Sequence, residues 1–327
     1  MPNRRFLHIL SAFVSALTIA NCSASDSRRS SLLPDPVEGA TGSVIAVPYR
    51  DVLYASDILD SRVDIYPQNA NDPAPIASII VGIDVPTGMA VDSSQALYVA
   101  NNESRFIADI PKDQPTTVSV YRKGSAVPVE VYLQDLHHPT DAVVGSDGTV
   151  YVANFGDGSV TEFPPGSPTP SLHFQPPSGS AIGLALDAAN NLYVSCALSN
   201  AVFEFAPGST QGTNLGLAIG GEPHGMAFDG SGDLLVAVSV APNSGSLVDV
   251  FPPGKTQPSK QISGTFQPFM IAFDRSKRHL YVADFGSGNH DGGVFEFAYP
   301  SGRLVFKYAR GGASAAYGVA LNPPATP

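Results

Sequence analysis

The stretch from Pro86 to Asn101, PTGMAVDSSQALYVAN, returns in close copies through most of the chain, and this self-similarity constrains the fold more than any other feature. The copies read PTDAVVGSDGTVYVAN from Pro139, AIGLALDAANNLYVSC from Ala181, PHGMAFDGSGDLLVAV from Pro223 and PFMIAFDRSKRHLYVAD from Pro268. Two half-copies complete the set. RDVLYASD, from Arg50 to Asp57, carries only the second part of the pattern, and AAYGVALNPP, from Ala315 to Pro324, only the first. One repeat is therefore divided between the two ends of the chain.

In the second repeat four short strands are expected, at Gly88 to Val91, Leu97 to Ala100, Thr117 to Tyr121 and Val129 to Leu133. These are β-branched and aromatic runs bounded by turn residues. The first is small and apolar throughout, as suits an inner strand crowded against an axis, and the second, LYVAN, is apolar enough for burial on both faces. Taking the Tyr or Leu of the second strand as a ruler, Tyr54, Tyr98, Tyr151, Tyr193, Leu235 and Tyr281 stand roughly 40 to 50 residues apart, the length of one propeller blade. Six copies predict an all-β, six-bladed β-propeller of four-stranded blades. Such a ring hides its edges only if its ends meet. The glycine-bearing YGVAL, Tyr317 to Leu321, supplies the strand that the first repeat lacks. Val44 to Val47 aligns with the same place but has no glycine, so the C-terminal strand is expected to close the ring. Extra length falls between second and third strands at Glu103 to Thr116, Pro242 to Ser246 and Gly286 to Gly293, all on one face.

A core of this kind needs apolar residues and many turns. The hydrophobic fraction is 43%, the charged fraction 14%, and 29 Pro and 31 Gly supply the turns. Acid outweighs base, 29 Asp and Glu against 18 Lys and Arg, and the net charge of -11 opposes nucleic acid or an anionic membrane as partner. The beginning of the chain departs from the repeat. Arg4 and Arg5 precede an apolar run from Phe6 to Ala20 and small residues through Ser25, the pattern of an export signal. The expected boundaries are a signal peptide over 1–24, a flexible linker over 25–42 and the propeller over 43–327. Cleavage after Ala24 would release a periplasmic or extracellular protein. Cys22 instead stands where an outer-membrane lipoprotein carries its acylated cysteine, and both outcomes stay open. In either case Cys196 has no partner for an intramolecular disulfide, so stability must come from the core.

The pattern G-[MILV]-A-x-D followed by LYVA[ND] resembles the NHL-repeat propellers of bacterial exported proteins. It is more distantly similar to gluconolactonase-like and streptogramin lyase-like propellers, and the resemblance covers nearly all of the mature chain. It implies the fold. It implies no single activity, because enzymes, receptors and adhesive modules share the scaffold.

First and second strands of a blade are antiparallel neighbours, so the start of one and the end of the other meet at one mouth of the axis. The residue before the glycine position gives one ring, Thr87, Thr140, Ile182, His224, Phe269 and Tyr317. The residue closing the second strand gives another, Asp57, Asn101, Asn154, Cys196, Val238 and Asp284. A concave mouth is the default binding site, which makes His224, Tyr317, Phe269, Thr87, Thr140, Asn101, Asn154, Asp57 and Asp284 the candidate ligand-binding residues. The gluconolactonase-like resemblance implies Asn and Asp ligands for a divalent ion in the first ring. Here only His224 can ligate, and Asp141 falls one place late, at the glycine position. The lyase-like resemblance implies a pairing of His and Glu across the mouth. His224 with Glu222 nearby matches one such place, while His137 and His138 lie near the same ring but also suit a solvated loop. Neither the oxygens that calcium needs nor a zinc ligand set is visible in these rings, so no cofactor is expected.

Other suggestive residues have plainer explanations. Asp92, Asp187, Asp229 and Asp274 each open a tight turn, where an Asp side chain caps its own backbone. The insertion DFGSGNHDGG, Asp284 to Gly293, suits loop lengthening better than an ion site. Cys196 lacks an obvious activating base and suits a small buried residue. Phe163, Phe205, Phe251 and Phe297 recur because the repeat recurs, as core between blades. No G-x-S-x-G, H-E-x-x-H or P-loop occurs. The expected function is an exported, non-catalytic, monomeric propeller that binds a small molecule, glycan or protein partner at one face of its axis. The alternative is a metal-assisted lyase or lactonase using His224.

Overall fold

The computed structural model of the chain describes residues 51–68, 73–102, 116–240, 246–287, 291–309 and 312–325. The expected signal peptide and linker, Cys22, Val44 to Val47, residues 103–115 and 242–245 of two insertions, and Asn289 and His290 of the third lie outside them. The described residues form six antiparallel sheets of four strands each, the six-bladed propeller that the repeat predicts. Blade 1 contains β1 (Val52–Asp57), β2 (Arg62–Pro67) and β3 (Ala77–Ile79). Blade 2 contains β4 (Pro86–Val91), β5 (Leu97–Asn101), β6 (Thr117–Tyr121) and β7 (Glu130–Tyr132), close to the predicted bounds. Blade 3 is β8 (Pro139–Val144), β9 (Val150–Asn154), β10 (Ser159–Phe163) and β11 (Leu172–Phe174). Blade 4 is β12 (Ala181–Leu186), β13 (Leu192–Cys196), β14 (Ala201–Phe205) and β15 (Thr213–Asn214). Blade 5 is β16 (Glu222–Phe228), β17 (Leu234–Ser239), β18 (Leu247–Phe251) and β19 (Lys260–Ser263). Blade 6 is β20 (Pro268–Phe273), β21 (His279–Asp284), β22 (Gly293–Ala298) and β23 (Arg303–Tyr308).

The last strand, β24 (Ala316–Asn322), completes blade 1 as its innermost member, pairing with β1 from Val52 opposite Asn322 to Asp57 opposite Ala316. Closure therefore comes from the C-terminus. Apolar side chains pack between blades rather than within them. Phe163 meets Tyr132 and Val118 of blade 2, Phe251 meets Val202 of blade 4, and Phe297 meets Val248 and Ile262 of blade 5. All three rings are buried, so the repeated Phe is interblade core.

In four repeats a glycine, Gly88, Gly183, Gly225 or Gly318, stands at the axis, where inner strands of neighbouring blades approach. A Cβ on Gly318 would lie 2.1 Å from the Thr87 carbonyl oxygen, and one on Gly183 would lie 2.2 Å from that of His224. Both contacts are with backbone, which cannot rotate away. Gly318→Ala is therefore expected to cost roughly 1 to 3 kcal/mol or more by overpacking. Gly230→Ala, with no atom near its Cβ position, serves as the control. Urea unfolding of the two variants checks this, and equal midpoints would contradict it.

Every blade also has a register shift between its first and second strands, as between Pro86 and Met89 in blade 2 and between Pro268 and Ile271 in blade 6. A bulge of this kind re-aims a side chain. It falls on the ring residue in every blade, and in blades 1, 2, 5 and 6 on the glycine position as well.

Candidate functional site

Two members of the first ring, Thr87 and Thr140, join neighbouring blades. Thr87 Oγ1 donates to the Pro139 carbonyl at 2.9 Å, and Thr140 Oγ1 to the Ile182 carbonyl at 2.9 Å, each from one blade to the next. Ser56, Ser195 and Ser239 do the same from second strands, reaching the carbonyls of Thr87, His224 and Pro268. The remaining ring members close over the axis. Phe269 stacks on Tyr317 with centroids 4.3 Å apart, and His224 meets the Phe269 ring edge to face at 4.7 Å. Phe285, Ile58 and Leu59 pack around this group, while Ile182 packs with Phe155 and Ala197. Where the spacing predicts an open mouth, the described residues fill it.

The second ring holds loops. Asp57 accepts the backbone N–H groups of Leu59, Asp60 and Ser314, and Asp284 those of Phe266, Gln267 and Gly286. Asn101 accepts from the Asp84 N–H and Asn154 from that of His137. In these four blades the side chain that ends the second strand ties down the segment leading into the first. Burial raises the carboxyl pKa of Asp57 and Asp284, and the donated N–H groups oppose that rise. Cys196 and Val238 offer no such clamp. Burial pushes the Cys196 thiol up to about 11, which leaves it protonated and a poor nucleophile. Asp92, Asp187, Asp229 and Asp274 each accept backbone N–H groups within their own turns.

Three polar groups remain near the axis, and one of them was obscured in the sequence by its place in the repeat. His224 is 2% exposed, and among the described residues neither ring nitrogen has a hydrogen-bond partner. Burial lowers its pKa to about 3, so it is neutral at ordinary pH, with one bare donor and one bare acceptor. Tyr317 lies on the Phe269 ring that His224 meets, its phenol pKa raised by burial and further by Asp141. Asp141 occupies the glycine position of blade 3, and its carboxyl fills the space that Gly88 leaves. Its oxygens accept the N–H groups of Ala142 and Leu184, both at 2.9 Å. Burial nevertheless pushes its pKa up to about 7.

Below this layer a channel of about 170 Å³ opens towards the opposite face. Asp141, Gly225 and Met270 stand at its inner end, and Val91, Leu321 and Pro324 line it further out. Ligand pockets for drug-sized molecules are about 300 to 1,000 Å³, so this channel suits only something small. Glu222, His137 and His138 do not pair with His224: His137 faces Asp157, and His138 Nδ1 faces Asn102 Oδ1 at 3.2 Å. Burial raises the Glu222 carboxyl.

No family model matches the chain, and no curated protein matches it. Among solved structures, a chain of a nidogen/laminin complex matches with a TM-score of 0.64 at 15% identity, covering 83% of this chain and 98% of that one. A protein of unknown function from Bacteroides caccae matches at 0.61 and 14% identity, with the same coverage. A functionally unknown protein from Desulfotomaculum acetoxidans DSM 771 matches at 0.57 and 13% identity, again with the same coverage. At these identities the likeness is one of fold.

Proposed function

We propose that the chain is a non-catalytic binding module that takes a small, neutral, hydrogen-bonding molecule on the propeller axis beside His224. One observation carries this reading: a buried imidazole with neither nitrogen partnered among the described residues, set against the Phe269 ring that stacks on Tyr317. Each buried unsatisfied group costs about 1 to 3 kcal/mol, which a ligand offering a donor and an acceptor recovers. The channel that ends at Asp141 and Gly225 supplies an approach, and its size sets the class of ligand. The similar chain in the nidogen/laminin complex belongs to an assembly of proteins, so this architecture is found in recognition elsewhere. A lyase or lactonase would need a second acid or base beside His224, and none of the described residues hydrogen-bonds to it. Kinship with exported NHL-repeat propellers, and export directed by residues 1–24, belong to the same proposal. Mass spectrometry of the mature N-terminus separates Ser25 as first residue from an acylated Cys22.

A melting screen of the full chain against neutral amides, short sugars and small alcohols tests the axial site, with His224→Phe as comparison. Phenylalanine keeps the packing against Phe269 and removes both nitrogens. A ligand at a hundred times its dissociation constant adds about 2.7 kcal/mol, a shift of several degrees. The expected result is such a shift in the wild type that is lost in the variant. A shift equal in both proteins, or none with any compound, would overturn the reading.

A further inference from the structure

Apart from the group around His224, blade 3 gathers His137, Asp157 and His173, one ligand atom from each lying within 4.8 Å of the others. His173 Nε2 is 3.3 Å from Asp157 Oδ2, and His137 Nε2 is 3.7 Å from it. Around a tetrahedral zinc ion with bonds of about 2.0 to 2.1 Å, neighbouring ligand atoms stand about 3.3 Å apart. From separations within 4.8 Å, the two exposed histidines and the half-buried aspartate must close by at most about 1.5 Å to reach that arrangement. We propose that these three residues bind one divalent cation of the zinc class, with a fourth position open to water.

The surroundings orient each ligand. Thr161 Oγ1 donates to the Asp135 carbonyl and accepts from Asn154 Nδ2, so its single hydrogen is committed. His173 Nδ1, 3.1 Å from the same oxygen, must therefore be the donor. In the neutral imidazole this selects the tautomer that leaves Nε2 bare towards Asp157, as a metal ligand requires. Asp157 Oδ1 accepts both the N–H and the hydroxyl of Ser159, which leaves Oδ2 free. The backbone of His137 is held on both sides, its N–H by Asn154 Oδ1 and its carbonyl by the Gly156 N–H. The same Asn154 thus braces two of the three ligands.

The repeat does not require this arrangement. The cross-strand pair of Thr161 and His173 corresponds to Ser119 and Val131 in blade 2, and to Asp249 and Gln261 in blade 5. As exposed ion pairs these contacts would contribute only about 0 to 1 kcal/mol each. Two imidazole nitrogens and one carboxylate oxygen suit zinc, cobalt or nickel, whereas calcium and magnesium seek oxygen shells.

The test is titration of the chelator-treated full chain with cobalt(II) and zinc(II). One cobalt per chain is expected, with the visible absorption of a four-coordinate site, displaced by zinc and not by calcium. His137→Ala and His173→Ala should each weaken zinc binding about 100-fold, and Thr161→Val about 10-fold, whereas Thr161→Ser should retain it. Unchanged melting midpoints of the two histidine variants would show that binding was lost without unfolding. Zinc binding that survives in the double histidine variant, or no saturable binding by the wild type, would overturn the assignment.

Discussion

Truncation after Gly312 is expected to abolish cooperative unfolding. The lost segment contains β24, which supplies Ala316, Val319 and Leu321 to the core between blades 6 and 1, and Ala320 to the core between blades 1 and 2. Burial of Val319 and Leu321 alone stabilises by roughly 3 to 6 kcal/mol, and Tyr317 adds a comparable amount. A domain is typically stable by only about 5 to 15 kcal/mol, so these losses are of the same order as the whole. The remaining ring would also expose the unpaired inner edge of β1, together with the Ser56 hydroxyl that now accepts from the Gly318 N–H. Circular dichroism on heating, with size exclusion, checks the outcome. A synthetic peptide of residues 313–325 should restore a cooperative transition if the defect is an open ring. A truncated chain that melts cooperatively within a few degrees of the wild type would contradict closure by β24.

The architecture was legible because a propeller repeats its physics. The spacing of Tyr98, Tyr151 and Tyr193 marks the second strands, and the glycine of YGVAL marks an inner strand without a partner in its own neighbourhood. The site was less legible, for two physical reasons. A bulge at the ring positions defeats the two-residue period by which strand residues are assigned to faces, so Thr87 and Thr140 appear as rim residues but bond between blades. Asp141, displaced by one position, is then the side chain that enters the axis wall, in the space beside Gly88. The terminal Asn and Asp of LYVA[ND] look like a polar ring because four blades meet the same need for a clamp. His137, Asp157 and His173 come from a connecting loop, a hairpin and an outer strand. Nothing in their spacing unites them. The nearest signal was His173 standing across from Thr161, a pairing that requires the register of β10 with β11.

The two buried titrating groups of the axis should give stability profiles of opposite slope. Asp141 has a folded pKa of about 7, above its ordinary value of 3.8, so the folded state holds the proton more tightly. Its contribution is fully present below pH 4 and is lost as pH rises towards 7. His224 has a folded pKa of about 3, below its ordinary 6.5, so the unfolded state binds the proton first. Its contribution is present above pH 6.5 and is lost as pH falls towards 3. Between these limits the two effects run against each other in the wild type, and single substitutions separate them. Relative to wild type, His224→Phe should become more favourable by about 3 kcal/mol when pH falls from 7.5 to 4.5, and Asp141→Asn by about 3 kcal/mol when it rises over the same interval. Each figure is a difference between variant and wild type, so the other raised carboxyls, Asp57, Asp249 and Asp284 among them, cancel. Asparagine presents only one acceptor oxygen where Asp141 serves two N–H groups, which lowers stability at every pH but leaves the slope as the readout. Urea unfolding at both pH values measures it. Two variants whose stability differences from wild type do not move with pH would mean that neither group is desolvated at the axis, and the small-ligand site beside His224 would lose its physical basis.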